Sequence, residues 1–286
     1  LLNDLSNDFM RVACIQYKSY EDEEKTLKKI IPLIHIAAKK KVDLITLPEC
    51  ATFLNVNKSE TMINASFEKN SFSLKTIKKT AKTLNVNILI GSLQTLEYKM
   101  SKKKLFNRSF LINRKGKIIC KYDKIHMYDV KITKHQSYQE SKTYESGDSA
   151  KVAKLKINGK YFKIGMTICY DLRFPHLFRD LALNGADLIT VPSVFMHITG
   201  KDHWHNLLQA RAIETGCYII APAQYGYYFN KRKSYGHSLI ISPWGKILKD
   251  AKTDKNIIIN DIDKNEIKKA RSKIPSIFVN KTYRVN

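Results

Sequence analysis

Two kinds of hydrophobic pattern alternate along the first third of the chain. Short apolar runs typical of buried strands occupy residues 10–17, 42–49 and 86–92. Between them, residues 23–41 and 72–84 repeat apolar side chains three and four positions apart, which is the spacing of an amphipathic helix. This β-α-β-α-β order predicts an α/β fold with helices packed on a sheet.

The rest of the chain continues the alternation and adds hairpins. We predict hairpins at 109–122 and 236–248, from paired apolar runs around a turn. Further strands are expected at 160–169, 186–193, 217–223 and 256–263, and further helices near 174–184, 202–215 and 263–274. The polar residues from about 123 to 149 are predicted to form a long loop, and such loops inside compact domains are usually functional.

One short pattern occurs twice. Asp-Leu-Ile-Thr, one apolar residue and then proline occupies residues 43–48 and again 187–192, which suggests two similar halves. No stretch has the Pro/Gly/Ser-rich composition of a linker. We therefore predict a single domain over residues 1–286, with an ordered core at about 10–275. Its expected architecture is a four-layer αββα sandwich, in which two sheets pack face to face and helices lie outside.

The charge of the chain is unusual. Lysine and arginine number 50 in 286 residues, and the formal net charge is +24. The lysines are spread from end to end in short runs, which is typical of solvated faces rather than a nucleic-acid-binding stripe. We therefore predict no nucleic-acid partner, and a steep salt-dependent affinity for DNA would support the alternative.

The hydropathy and the cysteines of the chain indicate where in the cell the protein is expected. No window approaches 18 apolar residues, so no membrane span is predicted. The cysteines number five, without a CxxC pair, which favours reduced thiols and a cytoplasmic location. The chain opens "LLNDLSNDFM" without an initiator methionine, so we expect a trimmed chain and leave a targeting segment open.

The segment "TICYDLRFP" carries the first candidate for chemistry. Its apolar run ends on Cys169, just before a predicted helix. Backbone N–H groups and the helix dipole can stabilise a thiolate or an oxyanion at such a position. A buried structural cysteine is the alternative, and this segment alone leaves both open.

Two other residues could assist a thiol. Glu49 ends the buried run "LITLPE", and Lys124 opens the polar stretch after the first hairpin. Each alone has an ordinary explanation, as a loop carboxylate or a surface lysine. His203 and His205 in "DHWH" are two positions apart and point to different helix faces, so we expect packing or surface roles rather than a metal site.

Together, "LPE", "DKIH" and "ICYDLRFP" resemble motifs of the nitrilase superfamily of carbon–nitrogen hydrolases, in order and context. The resemblance implies the αββα sandwich, a homodimer or higher homo-oligomer, and a Glu-Lys-Cys triad. Glu49 would be the general base, Lys124 the stabiliser of the tetrahedral intermediate and Cys169 the nucleophile. Tyr170 would supply an oxyanion-hole N–H, and Glu140 would be a second acid near the substrate. No metal and no cofactor are implied.

The second half is similar to the Nit branch of that family. "QARAIETGCYIIAPAQYG" and "KRKSYGHS" favour the deaminated glutathione amidases, whereas "KIHMYDVKI" resembles the omega-amidases about equally. The resemblance implies a thiol amidase that hydrolyses a small anionic 2-oxo acid amide through a thioester, with deaminated glutathione favoured over alpha-ketoglutaramate. A catalytically silent scaffold of the same fold is a further alternative.

Substrate-binding candidates follow from position. Arg173 beside the thiol would hold a carboxylate, or else form an internal ion pair with Asp171 or Asp180. Phe195 and Thr199 are expected pocket-wall residues. Trp204 is a third candidate for the pocket wall, although packing is its favoured role. His176 and His205 stand where the branch pattern has glutamate.

Overall fold

The computed structural model describes residues 8–55, 57–133, 136–228 and 232–285. Its helices are α1 (Glu23–Lys39), α2 (Lys58–Asn64), α3 (Phe72–Leu84), α4 (Pro175–Leu183), α5 (His197–Thr215) and α6 (Lys264–Lys273). Its strands are β1 (Phe9–Ile15), β2 (Leu44–Thr46), β3 (Ser66–Phe67), β4 (Asn87–Lys99), β5 (Lys102–Ile112), β6 (Ile118–Asp123), β7 (Asp129–Thr133), β8 (Gln136–Gln139), β9 (Lys151–Ile157), β10 (Lys160–Met166), β11 (Leu188–Thr190), β12 (Tyr218–Ala221), β13 (Tyr225–Tyr228), β14 (Arg232–Tyr235), β15 (Leu239–Ile241), β16 (Ile247–Asp250) and β17 (Ile257–Asp263). Short 3-10 turns cover Glu140–Lys142, Cys169–Arg173 and Pro275–Phe278.

Two large sheets organise the described chain. One has the strand order β17-β1-β2-β4-β5-β6 with β3 beside β4, and the other has the order β16-β15-β12-β11-β10-β9. In each sheet the Leu-Ile-Thr strand lies between two parallel neighbours: β2 between β1 and β4, and β11 between β10 and β12. The repeated Asp-Leu-Ile-Thr pattern therefore marks equivalent places in the two sheets.

Side-chain alternation along β1 shows how the layers stack. Met10, Val12 and Cys14 join a core that includes residues of the second sheet, whereas Ala13 and Ile15 join a core with α1 and α3. Successive side chains on a strand point to opposite faces, so β1 separates an inter-sheet core from a helix-covered face. Helices α4 and α5 cover the outer face of the second sheet. The αββα sandwich predicted from the sequence is confirmed.

The outer helices begin and end where their local chemistry requires. The Asp22 side chain accepts a hydrogen bond from the Lys25 N–H at 2.5 Å and caps α1. Ser71 caps α3 in the same way, and Asn85 ends that helix with a φ of 50°. Asparagine tolerates this left-handed conformation better than most residues do, which makes it a common helix terminator.

Three sequence predictions were wrong in detail. Residues 123–149 are not a loop throughout, because β7 and β8 form a hairpin within them. The strand predicted at 86–92 continues to Lys99 and pairs with β5. The prediction ended too early because Gln94 and Thr95, which are buried but polar, interrupt the apolar pattern. The helix predicted at 202–215 begins earlier, at His197. In the described residues, no helix is long and apolar enough to cross a membrane.

Candidate active site

Three of the predicted site residues follow strands directly. Glu49 lies three residues beyond β2, Cys169 lies three residues beyond β10, and Lys124 comes immediately after β6. β2 pairs in parallel with β1 and β4, and β10 pairs in parallel with β11. Ligand sites of α/β proteins form at the carboxyl ends of such strands. The carboxylate of Glu49 and the thiol of Cys169 therefore lie beyond the carboxyl ends of strands in the two different sheets.

Glu49 and Lys124 form a buried ion pair. Lys124 Nζ lies 3.1 Å from Glu49 Oε1, and the two side chains are only 2% and 6% exposed. The other carboxylate oxygen of Glu49 accepts a hydrogen bond from the Val194 N–H at 2.8 Å. Val194 follows β11 in the second sheet, so Glu49 is held from both halves of the sandwich.

Glu140 is the second carboxylate on Lys124. Its Oε2 lies 2.7 Å from Lys124 Nζ and accepts the Tyr128 N–H, also at 2.7 Å. Burial opposes the charge on Lys124, but the carboxylates of Glu140 and Glu49 hold its pKa well above the usual value. The lysine is therefore a fixed positive charge between two acids.

Asn107 bridges the two carboxylates, and sequence reasoning missed it. Its amide nitrogen donates to Glu49 Oε1 at 3.0 Å and to Glu140 Oε1 at 3.3 Å. Its backbone carbonyl accepts the Lys124 N–H at 3.0 Å. Among the described residues, the amide oxygen of Asn107 is buried without a protein hydrogen-bond partner.

Cys169 opens the turn after β10 in an uncommon conformation. Its φ is +48°, a left-handed value that few non-glycine residues adopt and that often marks functional sites. Its N–H donates to the Pro192 carbonyl at 3.0 Å, which ties the turn to the loop after β11. Burial raises the pKa of the Cys169 thiol well above its usual value, and the charge of Glu49 raises it further. The resting thiol therefore keeps its proton and requires a base to remove it.

The buried side chain of Asp171 stabilises the turn that begins at Cys169. Its Oδ2 accepts hydrogen bonds from the Ile168 N–H at 2.8 Å and from the Tyr122 hydroxyl at 2.6 Å. Its Oδ1 accepts the His126 N–H at 3.1 Å. Because Asp171 is fully buried and bonded to these groups, it acts on the conformation of the turn rather than on a substrate.

A single cavity of about 230 Å³ contains the predicted chemistry. It is lined by all five residues to which the resemblance gave a role: Glu49, Lys124, Glu140, Cys169 and Tyr170. Phe195 and Thr199 line it too, as expected. Trp204 is fully buried beside Phe195, with ring centroids 4.9 Å apart, so its packing role is confirmed.

Arg173 takes neither of its predicted positions. Among the described residues, it is not one of those lining the cavity, and it forms no ion pair with Asp171 or Asp180. Its guanidinium instead lies 5.5 Å from the Phe195 ring and 5.9 Å from the Tyr170 ring. One guanidinium nitrogen lies 3.2 Å from His203 Nδ1, so Arg173 packs against two residues of the cavity wall and contacts a histidine of α5.

Another arginine, missed from the sequence, reaches the cavity. Arg232 lines it, with its guanidinium 4.5 Å from the Tyr138 ring. Lys58, at the start of α2, lines it as well. Arg232 lies in the "KRKSYGHS" motif that the resemblance used, but sequence reasoning gave neither Arg232 nor Lys58 a role among the many basic residues. The cavity mouth thus carries two cations in addition to Lys124.

The family description "Carbon-nitrogen hydrolase" matches residues 11–272. The chain belongs to the carbon–nitrogen hydrolase family. The membership predicted from the three motifs is confirmed. Enzymes of this family act on carbon–nitrogen bonds, so the chain is a carbon–nitrogen hydrolase.

Curated relatives cover almost the whole of this carbon–nitrogen hydrolase. The deaminated glutathione amidase of Dictyostelium discoideum is 37% identical over 276 residues, covering 95% of this chain and 94% of its own. The deaminated glutathione amidase of Synechocystis sp. (strain PCC 6803 / GT-S) is 36% identical over 265 residues, covering 93% and 96%. The chain is thus similar to these amidases over nearly their full length.

Solved structures agree with the fold. Saccharomyces cerevisiae Nit3, described as a member of branch 10 of the nitrilase superfamily, has a TM-score of 0.80 at 27% identity and covers 94% of this chain and 95% of its own. The C. elegans NitFhit protein has a TM-score of 0.84 at 29% identity. The match covers 94% of this carbon–nitrogen hydrolase but 64% of the NitFhit chain, just under two thirds of its length.

Proposed function

We propose that this enzyme is a thiol amidase in which Cys169 is the nucleophile, Glu49 the general base and Lys124 the stabiliser of the tetrahedral intermediate. One observation carries the proposal: a thiol, a carboxylate and an ammonium group, from three separate segments, line one cavity, with Lys124 Nζ 3.1 Å from Glu49. The protonated resting thiol supports the need for a base beside it.

In the acylation step, Cys169 would attack the substrate amide while Glu49 accepts its proton. Glu49 takes the Cys169 proton as the sulfur attacks the amide carbonyl carbon, and the carbonyl oxygen becomes an oxyanion. Lys124 and the Tyr170 N–H stabilise that charge, an effect typically worth about 10²–10³ in rate per donor. The C–N bond then breaks, and the leaving amine takes the proton from Glu49. The product is a thioester on Cys169.

Deacylation would use Glu49 as the base a second time, now on a water molecule. Glu49 removes a proton from a water molecule, which attacks the thioester carbonyl. The C–S bond breaks, the carboxylic acid product leaves, and the sulfur regains the proton from Glu49. Glu140, bonded to Lys124 at 2.7 Å, would keep the ammonium group charged and in place through both halves of the reaction.

The substrate class follows from the cavity and the relatives together. Arg232 and Lys58 line a cavity that already contains Lys124, which favours an anionic substrate. The Dictyostelium discoideum and Synechocystis relatives, at 37% and 36% identity, are named deaminated glutathione amidases. We propose the same substrate here, a small 2-oxo acid amide with free carboxylates that Arg232 and Lys58 would bind.

Substrate profiling tests this proposal. The purified enzyme is assayed for kcat/KM on deaminated glutathione, on alpha-ketoglutaramate and on a neutral aliphatic nitrile. We expect deaminated glutathione to be the best substrate. A clear preference for alpha-ketoglutaramate would reassign the enzyme as an omega-amidase, and turnover of the nitrile alone would refute the amidase mechanism.

The family resemblance also implies a homo-oligomer, and we propose a homodimer. Ile213 on α5 and Trp244 are 59% and 56% exposed, and the Ile213 side chain lies against Gly245 next to Trp244. Exposed apolar side chains that adjoin favour a contact surface. Analytical ultracentrifugation should show a dimer that Trp244→Glu weakens, whereas a monomeric parent protein would exclude it.

A further inference from the structure

A second cluster of titratable side chains lies outside the active-site cavity. His205 is on α5, His237 lies between β14 and β15, and Asp250 ends β16. His237 Nδ1 is 3.1 Å from both carboxylate oxygens of Asp250, and His205 Nε2 is 3.4 Å from one of them. These three are absent from the described residues that line the cavity.

We propose that His205, His237 and Asp250 bind a divalent transition-metal ion of the zinc class, which ties α5 to β16. One ligand atom from each residue lies within 4.8 Å of the other two. Zinc binds nitrogen and oxygen at about 2.0–2.2 Å, so the ligand atoms of a tetrahedral site are about 3.3–3.6 Å apart. The His205–Asp250 distance already falls in that range, and the His237–Asp250 distance is slightly shorter. An ion would draw all three ligand atoms into this range, and none of their separations exceeds 4.8 Å.

His237 is held in place by its surroundings. Its φ is +53°, an uncommon conformation for a residue other than glycine, and its N–H donates to the Lys252 carbonyl at 2.8 Å. Its own carbonyl accepts the Trp204 indole N–H at 2.7 Å. Its ring stacks on Tyr235 with centroids 4.4 Å apart. This fixed backbone and ring direct one imidazole nitrogen at Asp250, as a metal ligand requires.

The ligand types select the class of ion. Two imidazoles and one carboxylate suit Zn²⁺ and the neighbouring transition metals, whereas Mg²⁺ and Ca²⁺ prefer sites made of oxygen atoms. The three side chains are 21–26% exposed, so solvent can supply a fourth ligand. A hydrogen-bonded trio without an ion is the competing explanation, in which each imidazole presents an N–H to the carboxylate.

Metal titration of purified protein tests the site. The Cys169→Ala variant is used throughout, because it removes one of the two thiols that line the cavity, Cys169 and Cys50, as a competing ligand. The protein is stripped with a chelator and titrated with Zn²⁺ by calorimetry, and separately with Co²⁺, whose visible absorption reports tetrahedral binding. We expect one equivalent of ion per chain and a rise in Tm of several degrees, since an ion that binds only the folded state stabilises it.

Matched variants assign the bound ion to this cluster. Asp250→Asn keeps the side-chain shape and removes the charge, and His205→Gln removes one imidazole from a partly exposed helix position. Each should weaken binding at least tenfold, whereas His35→Ala, at an exposed histidine of α1, should leave it unchanged. If Asp250→Asn fails to fold, the loss of binding in His205→Gln still tests whether the ion binds to this cluster.

Three results would overturn the metal site: no stoichiometric binding, binding that Asp250→Asn and His205→Gln leave intact, or a Tm that responds to pH and not to Zn²⁺. The last would identify the hydrogen-bonded trio. The metal proposal and the amidase proposal fail separately, because the metal test measures binding and stability and not turnover.

Discussion

The ammonium group of Lys124 lies 3.1 Å from the carboxylate of Glu49, and both side chains are almost completely removed from solvent. Burying such a pair is costly unless further hydrogen bonds satisfy both charges, and here Glu140, Asn107 and the Val194 N–H do so. The arrangement is therefore rigid before a substrate arrives. Charge stabilisation by groups already in position costs no reorganisation during the reaction.

Replacing the nucleophile should abolish turnover without unfolding the protein. Cys169→Ala is expected to lose amidase activity, because it removes the sulfur that forms the thioester, while Tm changes little since the thiol lies at the edge of the cavity. Activity and thermal melting of purified protein measure both effects. Cys120→Ala, at a partly exposed cysteine outside the cavity, is the control and should retain full turnover. Retention of turnover within tenfold by Cys169→Ala would contradict the assignment.

Removing the base should lower kcat with little change in KM. Glu49→Gln keeps the shape of the side chain but cannot take the thiol proton, so we expect a loss of about 10²–10⁴-fold. Glu145→Gln is a matched control, because Glu145 is also paired with a lysine, Lys104, at 2.8 Å and does not line the cavity. Comparable losses in both variants would mean that the effect comes from stability and not from catalysis.

Glu140 should set the alkaline limit of activity. Its carboxylate helps to hold the pKa of Lys124 above the usual value, so Glu140→Gln should lower that pKa and shift the alkaline limb of the pH–rate profile to lower pH. A raised pKa in the folded state also contributes stability below the unfolded lysine pKa of about 10.4, and this is lost as the pH rises through the folded value. Glu140→Gln should therefore lower Tm at neutral pH. An unmoved alkaline limb would argue against this role.

Two arginines provide a matched test of substrate charge. Arg232 lines the cavity, whereas Arg173 is not among its described lining residues and lies 5.5 Å from the ring of Phe195 in the cavity wall. Arg232→Met should raise KM for an anionic substrate by about 10–100-fold, since hydrogen bonds to charged groups contribute roughly 1.5–3 kcal/mol. It should affect a neutral amide much less, and Arg173→Met should change neither strongly. A larger KM effect from Arg173→Met would reverse these assignments.

Chelation should separate catalysis from stability. The proposed reaction uses only Cys169, Glu49, Lys124 and the groups bonded to them, so amidase turnover should survive treatment with EDTA. If the ion at His205 is present, the same treatment should lower Tm. Loss of turnover that returns on adding zinc would contradict the proposed mechanism.

Much of the fold was determined by local sequence. Apolar runs predicted strands such as β1 and β10, and helical spacing predicted α1 and α3, because side-chain periodicity reports which face of an element is buried. The three motifs also placed Glu49, Lys124 and Cys169 just after strands, where backbone direction brings functional groups to a sheet edge. The strand extension beyond residue 92 was missed, because the buried but polar Gln94 and Thr95 interrupt its apolar pattern.

Only the tertiary structure decided which distant side chains meet. Asn107 reaches Glu49 across 58 residues of sequence, and Arg232 enters the cavity while Arg173, four residues from the nucleophile, stays outside it. His205 gave no metal signal with its neighbour His203, because its partners His237 and Asp250 come from other segments. Periodicity and turn chemistry are local properties, whereas such contacts depend on how two sheets and their helices pack. The sequence therefore determined the elements and the family, and packing determined the composition of the sites.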